Sequence, residues 1–245
     1  MGQWFEEWFE SPEYLTVYKK RDDADAFELV SLILSLTNIR ESSSVLDLAC
    51  GAGRHSLIFA ERGMNVTGID LSKNLLKLAV EKATESNLKI NFINEDIRKL
   101  KLDKKFDLVV NLFTSFGYFE TDKENFLIFN RAAEHLEVSG VFVFDYFNTP
   151  YLIENLKPHS IDKIGDTIFE QIRNIRNNRV EKKIEITGKH RKSTYHESVK
   201  MYSANELVKQ LKKSGFTKIG LYGDYKGSIF DQKKSQRFLA VCQKQ

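Results

Sequence analysis

The stretch Val45-Leu46-Asp47-Leu48-Ala49-Cys50-Gly51-Ala52-Gly53 decides how the chain is read. A run with the character of a buried strand ends on two glycines. The residues after it, Arg54 to Arg62, have helical spacing, with Gly63 placed as their stop. Glycine at such a turn lets backbone approach a ligand, and the helix N-terminus offers free N–H groups to it. The same alternation continues on the C-terminal side. Val66 to Ile69, Ile90 to Ile93, Phe106 to Asn111 and Val141 to Phe144 read as strands. Between them lie a helix capped by Ser72, with Leu75, Leu76, Ala79, Val80 and Ala83 on one face, and a helix opened by the Thr121/Glu124 capping pair. Strands separated by helices of this length predict an α/β, doubly wound, mostly parallel sheet, which binds ligands at the carboxyl ends of its strands.

The chain has 245 residues, 37 Lys+Arg against 34 Asp+Glu, and two Cys. Its length suits one large domain at about 150 residues per domain or slightly more. Residues 1–245 read as a single domain, with a helical cap over 1–40 and an antiparallel β insertion over 160–202 that follows the fifth strand. Asn177-Asn178 and Gly188 are the insertion's turn signals. At roughly 40 residues the insertion has too little core to fold alone. A helix from Ser203 to Gly215 and two strands, Lys218 to Tyr222 and Arg237 to Cys242, close the chain. Two cysteines exclude a disulfide framework and fit a reducing, cytoplasmic setting. No apolar run approaches the ~20 residues of a membrane span, so no membrane role is expected.

The Gly51-Ala52-Gly53 turn alone fits nicotinamide, flavin and S-adenosylmethionine cofactors, and Asp70 could accept the ribose hydroxyls of any of them. Three features separate the alternatives. Asp47 lies beside the turn, where it would repel a diphosphate but favour an ammonium or sulfonium. Asn94-Glu95-Asp96-Ile97 follows the third strand, placing a carboxylate for an adenine amino group and an apolar cover for the ring. The dinucleotide pattern requires a third glycine at position 56, where this chain has Ser56.

These motifs resemble those of class I S-adenosylmethionine-dependent methyltransferases. Asp47 to Ser56 looks like the first motif, with Ala49 in place of its first glycine; Gly68 to Ser72 looks like the second, Glu95-Asp96-Ile97 the third, and Phe106 to Phe113 the fourth. The resemblance implies a seven-stranded Rossmann-like sheet with an antiparallel last strand. It implies S-adenosylmethionine as cofactor, S-adenosylhomocysteine as product, and no metal. It places Asp47, Ala49, Cys50 and Gly51 at the methionine end and Asp70 at the ribose. Leu71 and Ile97 take the adenine faces, Asp96 the adenine amino group, and Asn111 with Leu112 lie beneath the sulfonium. The segment Tyr14 to Asp22 is similar to the cap of small-molecule members, including amino-sugar N,N-dimethyltransferases. The likeness gives Tyr18 and Arg21 a closing role over the cofactor. The run Thr114 to Tyr118 looks like their acceptor-side loop.

Methyl transfer by in-line displacement to nitrogen or oxygen needs little covalent help from the protein. Tyr118 and His196 are the candidate bases, and Phe116, Tyr118, Asp145 and His196 the candidate acceptor contacts. Trp4, Phe5, Trp8 and Phe9 recur at helical spacing as a docked helix or a lid. Residues 171–200 hold nine Lys/Arg against three Asp/Glu. That surplus suits an anionic small-molecule acceptor, with RNA as the less favoured alternative and a non-catalytic cofactor-binding regulator as another. No feature sets an oligomeric state.

Overall fold

Apolar residues on both faces of consecutive strands require a sheet covered on both sides, and the chain builds one. The computed structural model describes residues 3–18, 23–189 and 191–244. Strands β1 (Ser44–Leu48), β2 (Asn65–Asp70), β3 (Asn91–Asn94), β4 (Phe106–Asn111) and β5 (Leu136–Phe147) are joined by β10 (Phe216–Tyr222) and β11 (Arg237–Lys244). The sheet order is β10-β11-β5-β4-β1-β2-β3. β1, β2, β3, β4 and β5 pair in parallel, while β11 runs antiparallel to both β5 and β10. The expected fold class is therefore the observed one.

Alternation along each strand divides the core. Val45, Leu108, Val110 and Val143 face helices α3 (Asp23–Leu36) and α4 (Arg54–Glu61) through Leu29, Val30, Ile33 and Phe59. On the other side, Leu46, Leu48, Val109, Phe142 and Phe144 meet Phe129 and Ala132 of α6 (Asp122–His135) and Leu207 and Leu211 of α8 (Ala204–Lys213). Helix α5 (Lys73–Glu85) follows β2, and Ser72 caps it by accepting from the Leu75 N–H, as its sequence predicts. The expected cap over 1–40 divides in the structure. Only α1 (Trp4–Phe9) and α2 (Tyr14–Val17) lie over the strand ends, whereas α3 buries an apolar stripe against the sheet.

The insertion is a separate four-stranded antiparallel sheet of β6 (His159–Ile164), β7 (Thr167–Arg176), β8 (Arg179–Thr187) and β9 (Lys192–Lys200). The turn signals Asn177-Asn178 and Gly188 mark the β7–β8 and β8–β9 connections, while no sequence signal marks the short helix α7 (Thr149–Glu154) that precedes the sheet. Asn177 and Asn178 both adopt positive φ (50° and 56°), the geometry a two-residue hairpin turn requires. Phe169, Ile184, Ile186 and Tyr195 on one face of this sheet enclose Trp8 of α1, forming a minor core with Tyr14 and Tyr18 packed against it.

Gly68 in β2 shows how closely the first turn packs. A Cβ there would lie 2.8 Å from Cys50 Sγ and 2.8 Å from Phe92 Cδ1. Replacing Gly68 with alanine is expected to cost about 1–3 kcal/mol through overpacking. Urea unfolding reads this directly, and an unchanged midpoint would contradict it.

Candidate active site

The turn after β1 carries three residues of positive φ, Ala49 (60°), Gly51 (57°) and Gly53 (78°). Two of them are the glycines such a turn favours. Ala49 adopts the left-handed region without that freedom, so some local strain is held at this end of the cleft. The Gly51 N–H donates to Asp70 Oδ2 at 2.7 Å and the Ser72 N–H to Asp70 Oδ1 at 2.9 Å, so Asp70 ties the first turn to the second. Ser56 Oγ donates to Asp47 Oδ2 at 2.6 Å. Both carboxyls are buried, and burial is the main reason for their raised pKa values, about 7 for Asp47 and about 6 for Asp70. Two closely spaced, desolvated carboxyls form a place where a cation is welcome and a diphosphate is not.

A two-part cleft runs across these strand ends. One part, a cavity of about 70 Å³, is lined by Asp70, Leu71, Asp96, Ile97, Phe116 and Tyr118 and roofed by Phe5 and Phe9 of α1. The other, about 310 Å³, is lined by Tyr14, Tyr18, Cys50, Gly51, Leu112 and Phe113. Ala49, Ser115 and Tyr118 border both. Asn111, buried at the end of β4, donates through Nδ2 to Leu48 O (2.8 Å) and Ser115 O (3.3 Å). Its buried Oδ1 has no partner among the described residues, and neither does Nε2 of buried His55 beside the second cavity. Burial also drives the His55 pKa down to about 3, so that ring is neutral. An orphaned acceptor near buried carboxyls fits a donor-bearing cation such as the α-ammonium of the amino-carboxypropyl sulfonium end of S-adenosylmethionine.

Helix α1 is strapped over the smaller cavity. Glu10 accepts from the Lys73 N–H (2.6 Å) and Asn74 N–H (3.3 Å) at the start of α5, and Ser72 Oγ donates to Phe9 O (3.0 Å). At the helix's other face, Trp8 Nε1 donates to Glu197 Oε1 at 2.7 Å. Glu197 also accepts from Tyr18 and pairs with Lys182 Nζ at 2.6 Å. Trp4, Phe5 and Phe9 meet the Tyr118 ring with centroids 5.3, 6.0 and 5.6 Å away. These rings form a close-packed aromatic wall on the smaller cavity.

Ala49, Cys50, Gly51, Asp70, Leu71, Asp96, Ile97, Leu112, Tyr18 and Tyr118 thus border one cleft, while the buried Asp47 and Asn111 line neither cavity. Asp96 is also engaged by Arg98, through Nη2 at 2.7 Å and the backbone N–H at 2.8 Å, and this pairing holds its carboxyl below the usual range despite partial burial. Arg21 lies outside the described residues.

Two expected acceptor-side residues lie away from the cavities, and a third lines one. His196 is exposed on the solvent face of the inserted sheet. Strand alternation turns Tyr195 and Glu197 toward α1 and sends His196 the other way, so it lines neither cavity. Asp145 does not face an acceptor. It is fully buried, with Oδ1 and Oδ2 each 2.9 Å from the Arg237 guanidinium, and it accepts from the Phe113 N–H and the Tyr225 hydroxyl. Phe116 stacks on Phe129 at 5.3 Å with rings 3° apart in the core and also lines the smaller cavity.

Other site residues gave no sequence signal. Glu10 is one polar residue on an amphipathic helix, and Arg237 is about ninety residues from Asp145 in sequence. The basic surplus of the insertion is partly internal: Arg173, Arg179 and Lys182 bond to groups of their own chain. That removes them from the face RNA would need. No helix among the described residues is long and apolar enough to cross a membrane.

Residues 45–140 match a family model described as a methyltransferase domain. The dTDP-3-amino-3,4,6-trideoxy-alpha-D-glucopyranose N,N-dimethyltransferase of Streptomyces venezuelae is 36% identical over 120 residues, 49% of this chain and 48% of that protein. The chain thus spans about half the length of the curated relatives it matches. Among solved structures, an S-adenosylmethionine-dependent methyltransferase from Clostridium acetobutylicum superposes with TM-score 0.84 at 22% identity, covering 95% of this chain and 98% of that one. A SAM-bound amino pentose methyltransferase from Micromonospora echinaspora gives TM-score 0.73 at 19% identity, covering 96% and 98%. The shared fold is that of S-adenosylmethionine-dependent methyltransferases.

Proposed function

We propose that the chain transfers a methyl group from S-adenosylmethionine to a nitrogen of a small-molecule acceptor in the two-part cleft, a reading supported by the match of residues 45–140 to the methyltransferase-domain model. The observation that carries this reading is the pair of buried carboxyls, Asp47 on β1 and Asp70 at the end of β2, with the orphaned Asn111 Oδ1 at the end of β4 on the other side of β1. When bound, S-adenosylmethionine supplies a sulfonium-activated methyl group.

The remaining work is binding and orientation by the protein. Asp70 takes the ribose hydroxyls while keeping the Gly51 and Ser72 N–H groups, since each carboxylate oxygen accepts more than one donor. Leu71 and Ile97 cover the adenine, and Asp96 takes its amino group with the lone pairs Arg98 leaves open. Asp47 and Asn111 Oδ1 favour the ammonium end, and Leu112 lies beneath the sulfur. The acceptor enters the larger cavity, where Tyr14, Tyr18, Phe113 and Tyr118 present aromatic surface. That lining favours nitrogen over oxygen, because an amine becomes a methylammonium cation and aromatic faces stabilise such cations. The Tyr118 hydroxyl donates to Thr114 O at 2.9 Å, and its oxygen remains an acceptor for the substrate N–H. Helix α1, closed over the cleft, excludes water. The amino-sugar substrate of the Streptomyces venezuelae relative is the first acceptor class to try.

An Asp70→Asn variant is expected to bind S-adenosylmethionine roughly 10–150-fold more weakly, the 1.5–3 kcal/mol of a charged hydrogen bond. Calorimetry tests this, and wild-type affinity in the variant would remove the ribose assignment. Methyl-labelled cofactor offered to nucleotide-linked amino sugars, to their hydroxyl counterparts and to RNA then reads the acceptor.

A further inference from the structure

The guanidinium of Arg179, at the start of β8, binds only neutral oxygens and pairs with no carboxylate among the described residues. Its Nη2 donates to Gly117 O (3.1 Å), Tyr118 O (3.2 Å) and Ser198 O (2.8 Å), its Nη1 to Phe119 O (3.2 Å), and its Nε to Ser198 Oγ (2.7 Å). Carbonyls of three consecutive loop residues therefore converge on one side chain from a different sheet. The loop is pressed onto that sheet at the same place. The Lys200 N–H donates to Gly117 O at 2.8 Å, and Gly117, at φ 87°, would bring a Cβ within 2.9 Å of Lys200 O. The hairpin turn before Arg179 is fixed in turn, since Asn178 exchanges two 2.9 Å bonds with Met201. Tyr146 donates to Lys200 O from the main sheet.

Three carbonyls directed at one point need a planar, multiply donating cation; an ammonium offers no matching fork. These carbonyls belong to the loop whose Ser115, Gly117, Tyr118 and Phe119 form a wall of the smaller cavity. We propose that Arg179 is a positioning residue: its guanidinium gathers the Gly117, Tyr118 and Phe119 carbonyls and so sets the Tyr118 ring at the junction of the two cavities. The inserted sheet thereby acts as a template for the loop on which the acceptor is presented. The consequence for cofactor binding rests on the methyl-transfer reading above; the consequence for the loop does not.

The test compares Arg179→Ala and Arg179→Lys with Ile184→Val, a substitution in the same sheet that touches only the minor core. In the ligand-free protein, amide exchange across residues 117–120 is expected to rise about tenfold in both Arg179 variants and to stay at the wild-type rate in the control. S-adenosylhomocysteine affinity should fall about fivefold or more in both variants, the order of one lost hydrogen bond. Methylguanidinium at tens of millimolar should restore both readouts to Arg179→Ala, and methylammonium should not. Wild-type exchange in the variants, or equal loosening in the control, overturns the proposal. Should Arg179→Ala fail to fold, Arg179→Lys gives the same comparison. If the wild-type protein does not bind S-adenosylhomocysteine, the methyl-transfer reading fails and the exchange arm still decides the role of Arg179.

Discussion

An Asp145→Ala protein is expected to lose about 3–5 kcal/mol of stability, the usual result of stripping one partner from a buried ion pair. Four donors converge on this carboxylate: Arg237 Nε and Nη2, each at 2.9 Å, the Phe113 N–H at 2.8 Å and the Tyr225 hydroxyl at 2.9 Å. Burial opposes charge on Arg237, but Asp145 outweighs it and holds the guanidinium protonated; burial and the same carboxylate push the Tyr225 hydroxyl pKa upward. Without Asp145 the cation is left desolvated and unpaired. A second effect adds to this one. Phe113 and Thr114 both have positive φ (59° and 65°), unfavourable for bulky and β-branched residues. They are held there by the Phe113 N–H bond to Asp145 Oδ2, the Thr114 N–H bond to Asp145 O at 3.1 Å and the Arg237 Nη2 bond to Thr114 Oγ1 at 2.9 Å. Losing the carboxylate frees this turn to relax, and Tyr118, four residues on, moves with it. Urea denaturation at neutral pH measures the cost; a loss under about 1 kcal/mol would show the pair to be dispensable.

The second large effect is on pH. Asp47 titrates at about 7 and Asp70 at about 6, raised chiefly by burial, with Asp70 adding to the shift at Asp47. A cationic ligand is favoured by the ionised forms. Its affinity should therefore fall by roughly two to three orders of magnitude from pH 8 to pH 5, as both groups take up protons that binding must expel. The stability of the ligand-free protein responds with the opposite sign. These two carboxyls hold protons more tightly when folded than when unfolded. Their contribution is complete below the ordinary carboxyl value of 3.8 and is lost as pH rises through about 6 and then 7. The rise in melting temperature produced by S-adenosylmethionine should accordingly be larger at pH 8 than at pH 5.5. A calorimetric affinity that is flat over this range would mean that these carboxyls do not meet the cation.

The main sheet was legible because strand and helix periods differ, and its caps and glycines stand where local chemistry demands them. Val45 to Gly53, Ser72 and Gly63 needed no tertiary information. The turn end of the cleft, where the cofactor is proposed to bind, was legible for the same reason, since Asp70 and the first turn are local features brought together by adjacent parallel strands. The acceptor side was not. His196 follows Tyr195, and which of two alternating neighbours faces inward depends on what the sheet packs against, here Trp8. Asp145 looked free because its partners, Arg237 and Tyr225, arrive from a hairpin about eighty to ninety residues later. Arg179 sat within a basic run that suggested a surface, while its guanidinium is spent on loop carbonyls that no sequence pattern encodes.

The bond from Trp8 to Glu197 spans 189 positions. Its apolar setting comes from strands that leave the ribosome long after the tryptophan does. This segment, made before the strands that seat it, is therefore among the last to find its place, and until then it carries four large aromatic side chains in water. Assembly of the cleft's roof is a late event in biogenesis, after the parallel strands beneath it have formed.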